Sequence, residues 1–207
     1  MDPQRRRDEL RGLLETTFTP GRQERKWIVQ SLGDLYLEKW FTDILYRVKS
    51  GKEATVYCCR AGPGAGSELL AAKVFRPRMF RAMRNDALYK RGRTMIDPQT
   101  HTHLKRRSLS ALQKKTTYGR RLDTAAWVLP VYRALEYLYA VGADVPRPVA
   151  HAPNAILMDF VGDETQAAPI LHRVHLREEE AETVFRRLVH NVKLFLSRYR
   201  VHADLSA

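Results

Sequence analysis

The chain has 207 residues, 44% of them hydrophobic and 29% charged, with a formal net charge of +13. That is the composition of a globular protein with a core, and no run approaches the roughly 18 apolar residues that a membrane-spanning helix needs. The opening MDPQRRRDELRGLL has arginines but no apolar centre, which argues against a secretory signal. The only cysteines, Cys58 and Cys59, are neighbours that a mutual disulfide would strain, so a reducing, cytoplasmic setting is expected.

Residues 1–25 mix both charge signs around Pro20-Gly21 and predict a loosely held arm. Lys26 to Trp40 carries apolar residues at helical spacing, with Gly33 as a possible break. Three strand-like runs follow, Ile44 to Val48, Ala54 to Cys59 and Leu69 to Phe75, the last two separated by the turn-rich 61–66. They predict an antiparallel meander.

From Arg76 to Arg121 fourteen Lys/Arg face only Asp86 and Asp97, so one stretch holds nearly all the excess positive charge. It reads either as a phosphate-attracting surface or as a solvated insertion. A second helix is expected over Thr124 to Val141, with Val131, Ala134, Leu135 and Leu138 on one face. Pro130 must either kink that helix or mark its first turn. Val145-Pro146-Arg147-Pro148 is a rigid connector to two short strands, Val149 to His151 and Ala155 to Phe160. The final helix opens on Glu178, Glu179 and Glu180, keeps a 3.6-residue beat from Ala181 to Tyr199, and closes on Arg198 and Arg200. Strands first, one helix among them, then a helical part, is an α+β order in two lobes. The pair His101 and His103 has no further ligands near it, so no metal site is expected from these residues.

Chemistry concentrates at three places. The turn from Val48 to Tyr57 can be laid on the kinase pattern G-x-G-x-x-G-x-V with Val56 as the valine, but only Gly51 of its glycines is present. An ordinary hairpin explains that turn equally well. Lys73 sits inside the apolar strand Ala71-Ala72-Lys73-Val74, where a charge needs a partner; ATP phosphates would provide one. At the chain's end His202-Ala203-Asp204-Leu205 matches the H-x-D-L of a kinase catalytic loop, in which the aspartate takes or orients the proton of the substrate hydroxyl.

With SGKEATVY, AAKVF, VPRP, ILMDFVGDE, a following Ala-Pro and HADLS in this order, the sequence from about Leu35 to Ala207 resembles the RIO atypical serine/threonine protein kinases, in a bacterial-type form. That resemblance implies a kinase-like two-lobed α+β fold, with an N-lobe antiparallel sheet and αC-like helix over 26–161, a basic insertion at 76–121, and an incomplete C-lobe over 162–207. It implies ATP and Mg²⁺ as cofactors and a protein hydroxyl as acceptor. Ser50 and Lys52 would contact phosphates beside Val56, Lys73 would be the ATP lysine and Met158 the gatekeeper. The backbones of Asp159 and Val161 would bind adenine, and Asp204 would be the catalytic aspartate. Two residues depart from the pattern: Val131 stands where the αC-like helix should carry its glutamate, and Ala203 where a glycine is usual. The metal-binding asparagine of H-x-D-x-x-x-x-N would fall at position 209, so the chain is expected to be truncated within its catalytic loop, with part of the final helix's apolar face uncovered. A second expectation is a degenerate kinase fold that docks on RNA or a ribosomal particle through Arg76–Arg121.

Overall fold

The computed structural model of the chain describes residue 14 and residues 16–76 and 117–201, with the side chains of 117–127 excepted. The first helix, α1 (Arg22–Leu37), buries Ile28, Leu32 and Leu35, a spacing of four and three that lines one face. Gly33 does not break it; the helix runs through, with Gly33 buried. It ends where Lys39 turns to φ 60°. The Gly62 N–H then donates to the Trp40 carbonyl at 2.8 Å. A Cβ on Gly62 would lie 1.8 Å from the Lys39 oxygen, so only glycine permits this crossing.

Five antiparallel strands follow, β1 (Phe41–Ser50), β2 (Ala54–Ala61), β3 (Leu69–Phe75), β4 (Pro148–Ala152) and β5 (Ala155–Asp159). Their order across the sheet is β1-β2-β3-β5-β4. Between β3 and β4 runs α2 (Thr117–Ala140), with Pro130 in its interior rather than in its first turn. A single 3₁₀ turn (Leu171–Arg173) precedes α3 (Glu178–Ser197).

The helices take opposite faces of the sheet. Tyr57, Cys59, Leu70, Ala72, Val74 and Leu157 pack with α1 into the main core. Ala54, Phe75 and Ile156 pack with Val128 and Tyr132 of α2 into a second, smaller cluster. Burying a large apolar side chain of this kind contributes about 1.5–3 kcal/mol. The expected loose arm over 1–25 ends early. Leu14 is buried in the main core, Phe18 packs on it, and the Phe18 N–H donates to the Ile44 carbonyl at 2.9 Å.

The third helix is different. Its side chains Phe185, Leu188 and Leu196 are exposed and Asn191 is its one buried residue. It is tethered by polar groups: Arg187 Nε and Nη2 each donate to the Asp144 carboxylate at 2.6 Å, and Asn191 Nδ2 donates to the same group at 2.6 Å. The Asn191 side chain also accepts the Asp144 N–H at 2.7 Å. A groove of about 390 Å³ lined by Val145, Val184, Leu188, Val192 and Phe195 lies beside that clamp.

Candidate nucleotide-binding face

Strand alternation decides which side chains meet. Lys73 stands opposite Val56 on one side and Ile156 on the other, and Ala71 stands opposite Met158. All five side chains therefore share the α2 face. Toward Ala54, Phe75 and Ile156 that face is covered by α2, whereas Val56, Lys73 and Met158 remain only half-buried. The result is an apolar shelf with one ammonium at its covered end. Burial pushes Lys73 below its ordinary lysine value, and the carboxylate of Glu53 opposes that shift. Lys73 Nζ lies 5.3 Å from the Phe75 ring centroid, so the side chain leans along β3 toward the β1–β2 turn.

That turn is closed by the Gly51 N–H donating to the Ala54 carbonyl at 2.9 Å. Lys52 is exposed at its tip. Ser50 stands apart from the Lys73 group. It pairs with Thr55, whose side chain alternates to the α1 face, and Arg76 Nη2 donates to both hydroxyls, at 2.6 Å and 2.9 Å. The Arg76 N–H also donates to the Glu53 carbonyl at 2.9 Å, fastening the turn to the end of β3.

The segment leaving β5 is held from behind. The Asp159 N–H donates to the Arg147 carbonyl at 2.9 Å. The Asp159 carboxylate accepts from Arg147 Nε, Arg147 Nη2 and the Ser67 hydroxyl at 3.1, 2.9 and 2.6 Å. Arg147 Nη2 reaches the Ala65 carbonyl as well, at 2.8 Å. Asp159 is thus presented by its backbone alone. Two residues on, the Val161 carbonyl accepts from Ala168, while its N–H donates to no group among the described residues. Gly162 then bridges to Ala167. The small loop between them is fixed by Asp163, which accepts the N–H groups of Thr165 and Gln166. Tyr46 donates to the Asp163 carbonyl at 2.9 Å and Arg60 to Glu164 at 2.6 Å, which ties this loop to β1 and β2.

On α2, Val131 packs against the second core cluster and makes no polar contact with Lys73. Burial, and then the nearby Glu136 carboxylate, pushes the Tyr132 phenol up. Asp204, His101, His103 and nearly all of the basic stretch lie outside the described residues. Among the described residues no group of three His, Cys, Asp or Glu is placed to hold a metal ion. Arg147, Ser67 and Arg76 are the polar residues that sequence reasoning missed; the only signal was Arg147's place between two prolines, which says rigid but not bonded to what.

Residues 74–207 match the family model described as RIO1: RIO domain. A stretch of 87 residues is 34% identical to "Serine/threonine-protein kinase RIO1" of Caenorhabditis elegans, covering 42% of this chain and 17% of that protein. A longer stretch of 176 residues is 28% identical to the protein of the same name from Chaetomium thermophilum, covering 80% and 31%. The chain therefore spans less than a third of either relative. Among solved structures, the Rio2 kinase–ADP/Mg²⁺–phosphoaspartate complex from Chaetomium thermophilum aligns with a TM-score of 0.48 at 16% identity, over 87% of this chain and 46% of that one.

Proposed function

The chain belongs to the RIO domain family, and from that premise we propose that it binds Mg-ATP on the α2 face of its sheet and serves transfer of the γ-phosphate to a protein serine or threonine. The observation that carries this reading is the half-covered shelf of Val56, Ala71 and Met158 with Lys73 at its covered end. An adenine ring can lie on the shelf, with the Asp159 carbonyl and the Val161 N–H at its edge. Lys73, half-buried on the shelf, is suited to the α- and β-phosphates, and Lys52 at the turn's tip to the terminal one. In the transfer the substrate oxygen bonds to Pγ, the bond from Pγ to the bridging β-oxygen breaks, ADP leaves, and Asp204 receives the hydroxyl proton. Mg²⁺ would neutralise charge on the phosphates; among the described residues no group of three His, Cys, Asp or Glu is placed to hold it.

The test is thermal. Mg-ATP at about a hundred times its Kd adds about 2.7 kcal/mol to a protein that binds it only when folded, so wild type should melt several degrees higher. Lys73→Ala should lose that shift while keeping the nucleotide-free melt. No shift in wild type would sink the reading.

The charge count favours a second role. Fourteen basic residues against two acidic ones over 76–121 suit a polyanion, and docking of RNA or a ribosomal particle there is compatible with nucleotide binding at the sheet.

A further inference from the structure

Side-chain bonds at two places fix which face the end of β1 shows. Arg47 and Tyr57 stand opposite each other, and Arg47 Nη1 and the Tyr57 hydroxyl both donate to the Glu24 carboxylate of α1, at 3.2 and 2.9 Å. Ser50 and Thr55 also stand opposite each other, and both hydroxyls accept from Arg76 on that same α1 side. Arg47 and Ser50 are three residues apart, a spacing that a regular strand would split between its two faces. The strand instead carries Val48 as an extra residue, the pairing passing from Arg47 and Tyr57 directly to Lys49 and Val56. A bulge re-aims the side chain that follows it. Without this one Lys49 would stand opposite Thr55 and point to the α1 side; with it Lys49 stands opposite Val56, which in turn stands opposite Lys73. Lys49, Val56 and Lys73 therefore form one row across three strands on the nucleotide face, the two lysines about 10 Å apart at their Cα atoms. The Lys49 side chain is exposed and takes no ion-pair partner among the described residues.

We propose that Lys49 is a second nucleotide-binding lysine, meeting the α- and β-phosphates from β1 while Lys73 meets them from β3. The inference rests on the nucleotide-binding reading above and deepens it. Adenine on the shelf of Ala71 and Met158 directs its phosphates toward this row, over the half-buried Val56. An anion there has an ammonium on either side. Each rides on a flexible four-carbon stem, so both can close on one diphosphate. Lys52, at the turn's tip, lies beyond the row and serves the terminal phosphate. Lys49 thus belongs to the part that ADP and ATP share, and the extra residue Val48 is the device that delivers it there.

The test compares adenosine, Mg-ADP and Mg-ATP on the full chain by calorimetry. Lys49→Gln should weaken Mg-ADP and Mg-ATP alike, by about two- to fivefold as expected for loss of an exposed ion pair, and leave adenosine unchanged. Lys49→Arg should keep most of the affinity. Lys26→Gln removes the same charge from an exposed position on α1, across the sheet, and should bind all three ligands as wild type does. Placement is read separately by acetylation with limiting acetic anhydride, followed by mass spectrometry. Saturating Mg-ADP should slow the labelling of Lys49 and not that of Lys26, and adenosine should slow neither. If wild type binds Mg-ADP while Lys49 is labelled at an unchanged rate, or if Lys49→Gln binds Mg-ADP as tightly as wild type, the proposal is overturned and the nucleotide reading stands. A wild type that binds none of the three overturns both.

Discussion

Arg147 and Asp159 are joined by two parallel hydrogen bonds, Nε to Oδ2 at 3.1 Å and Nη2 to Oδ1 at 2.9 Å, with both side chains about one-third exposed. The pair fastens the residue before β4 to the end of β5, and both to the β2–β3 connection, because Arg147 also donates to Ser67 and to the Ala65 carbonyl. Planar, two-point pairing is what a guanidinium does and an ammonium does not.

Arg147→Leu should therefore cost more than a surface ion pair. It leaves the Asp159 carboxylate with Ser67 alone and the Ala65 carbonyl without its donor, a loss of about 1–3 kcal/mol. For a chain of this size that lowers Tm by about 2–4 °C per kcal/mol. Arg147→Lys should recover less than half. A Tm within 1 °C of wild type, on the order expected of a solvated pair, would show that the bonds contribute nothing.

Gly162→Ala should disturb the segment just past Val161. Gly162 has φ +148°, and an added Cβ would lie 2.4 Å from the Gln166 carbonyl oxygen and 2.7 Å from the Phe160 ring. Relief requires the bridge to Ala167 to open, costing about 1–3 kcal/mol. Gly64→Ala is the control, since nothing lies within 4 Å of its Cβ position. The readouts are Tm and Mg-ATP affinity, and both should fall only for Gly162.

The clamp on α3 should respond to acid. Hydrogen bonds from Arg187, then from Asn191, hold the Asp144 carboxyl at about 2, below its ordinary 3.8. A carboxyl depressed in the folded state stabilises above its unfolded value and loses that contribution as pH falls through the folded one. The Tm difference between wild type and Asp144→Asn should therefore be constant above about pH 4 and shrink between pH 4 and 2. A difference that does not change with pH would place the effect of the substitution elsewhere.

If the basic stretch binds RNA, its affinity should fall by about 0.7–0.9 log units per neutralised phosphate for each tenfold rise in salt. Deleting residues 78–115 should flatten that slope. Equal binding after deletion would move the interface elsewhere.

Much of this was readable in the sequence because apolar runs bounded by turns leave little choice. β3 falls on Leu69–Phe75 as expected, and the strand lysine lands on the shelf. The helix α2 begins seven residues before the expected Thr124, because Thr117 to Arg121 looked like the end of the basic stretch. β1 extends to Phe41 and Ser50 beyond Ile44–Val48, carried by pairing with β2 rather than by its own alternation. Tyr132, not Val131, is the more deeply buried of the two on α2, since it stacks 4.7 Å from His151. The resemblance sets Ser50 beside Lys52 at the phosphates; in the sheet Ser50 pairs with Thr55, one residue from Val56 and so on the other face, and Arg76 donates to its hydroxyl there. The Arg147–Asp159 pair was illegible because neither residue carries a local pattern; only the sheet brings them together.

The same one-residue step separates Cys58 from Cys59. Cys58 lies on the shelf's face of the sheet, opposite Tyr46 of β1, and Cys59 lies in the α1 core; both thiols are fully buried and raised above their ordinary value by that burial. Two adjacent residues thus carry natural reporters of different events. A thiol reagent should reach Cys58 when β1 and the Asp163 loop part, a local opening. It should reach Cys59 only when α1 leaves the sheet, so the ratio of the two labelling rates measures how independently the two sides of the molecule come apart.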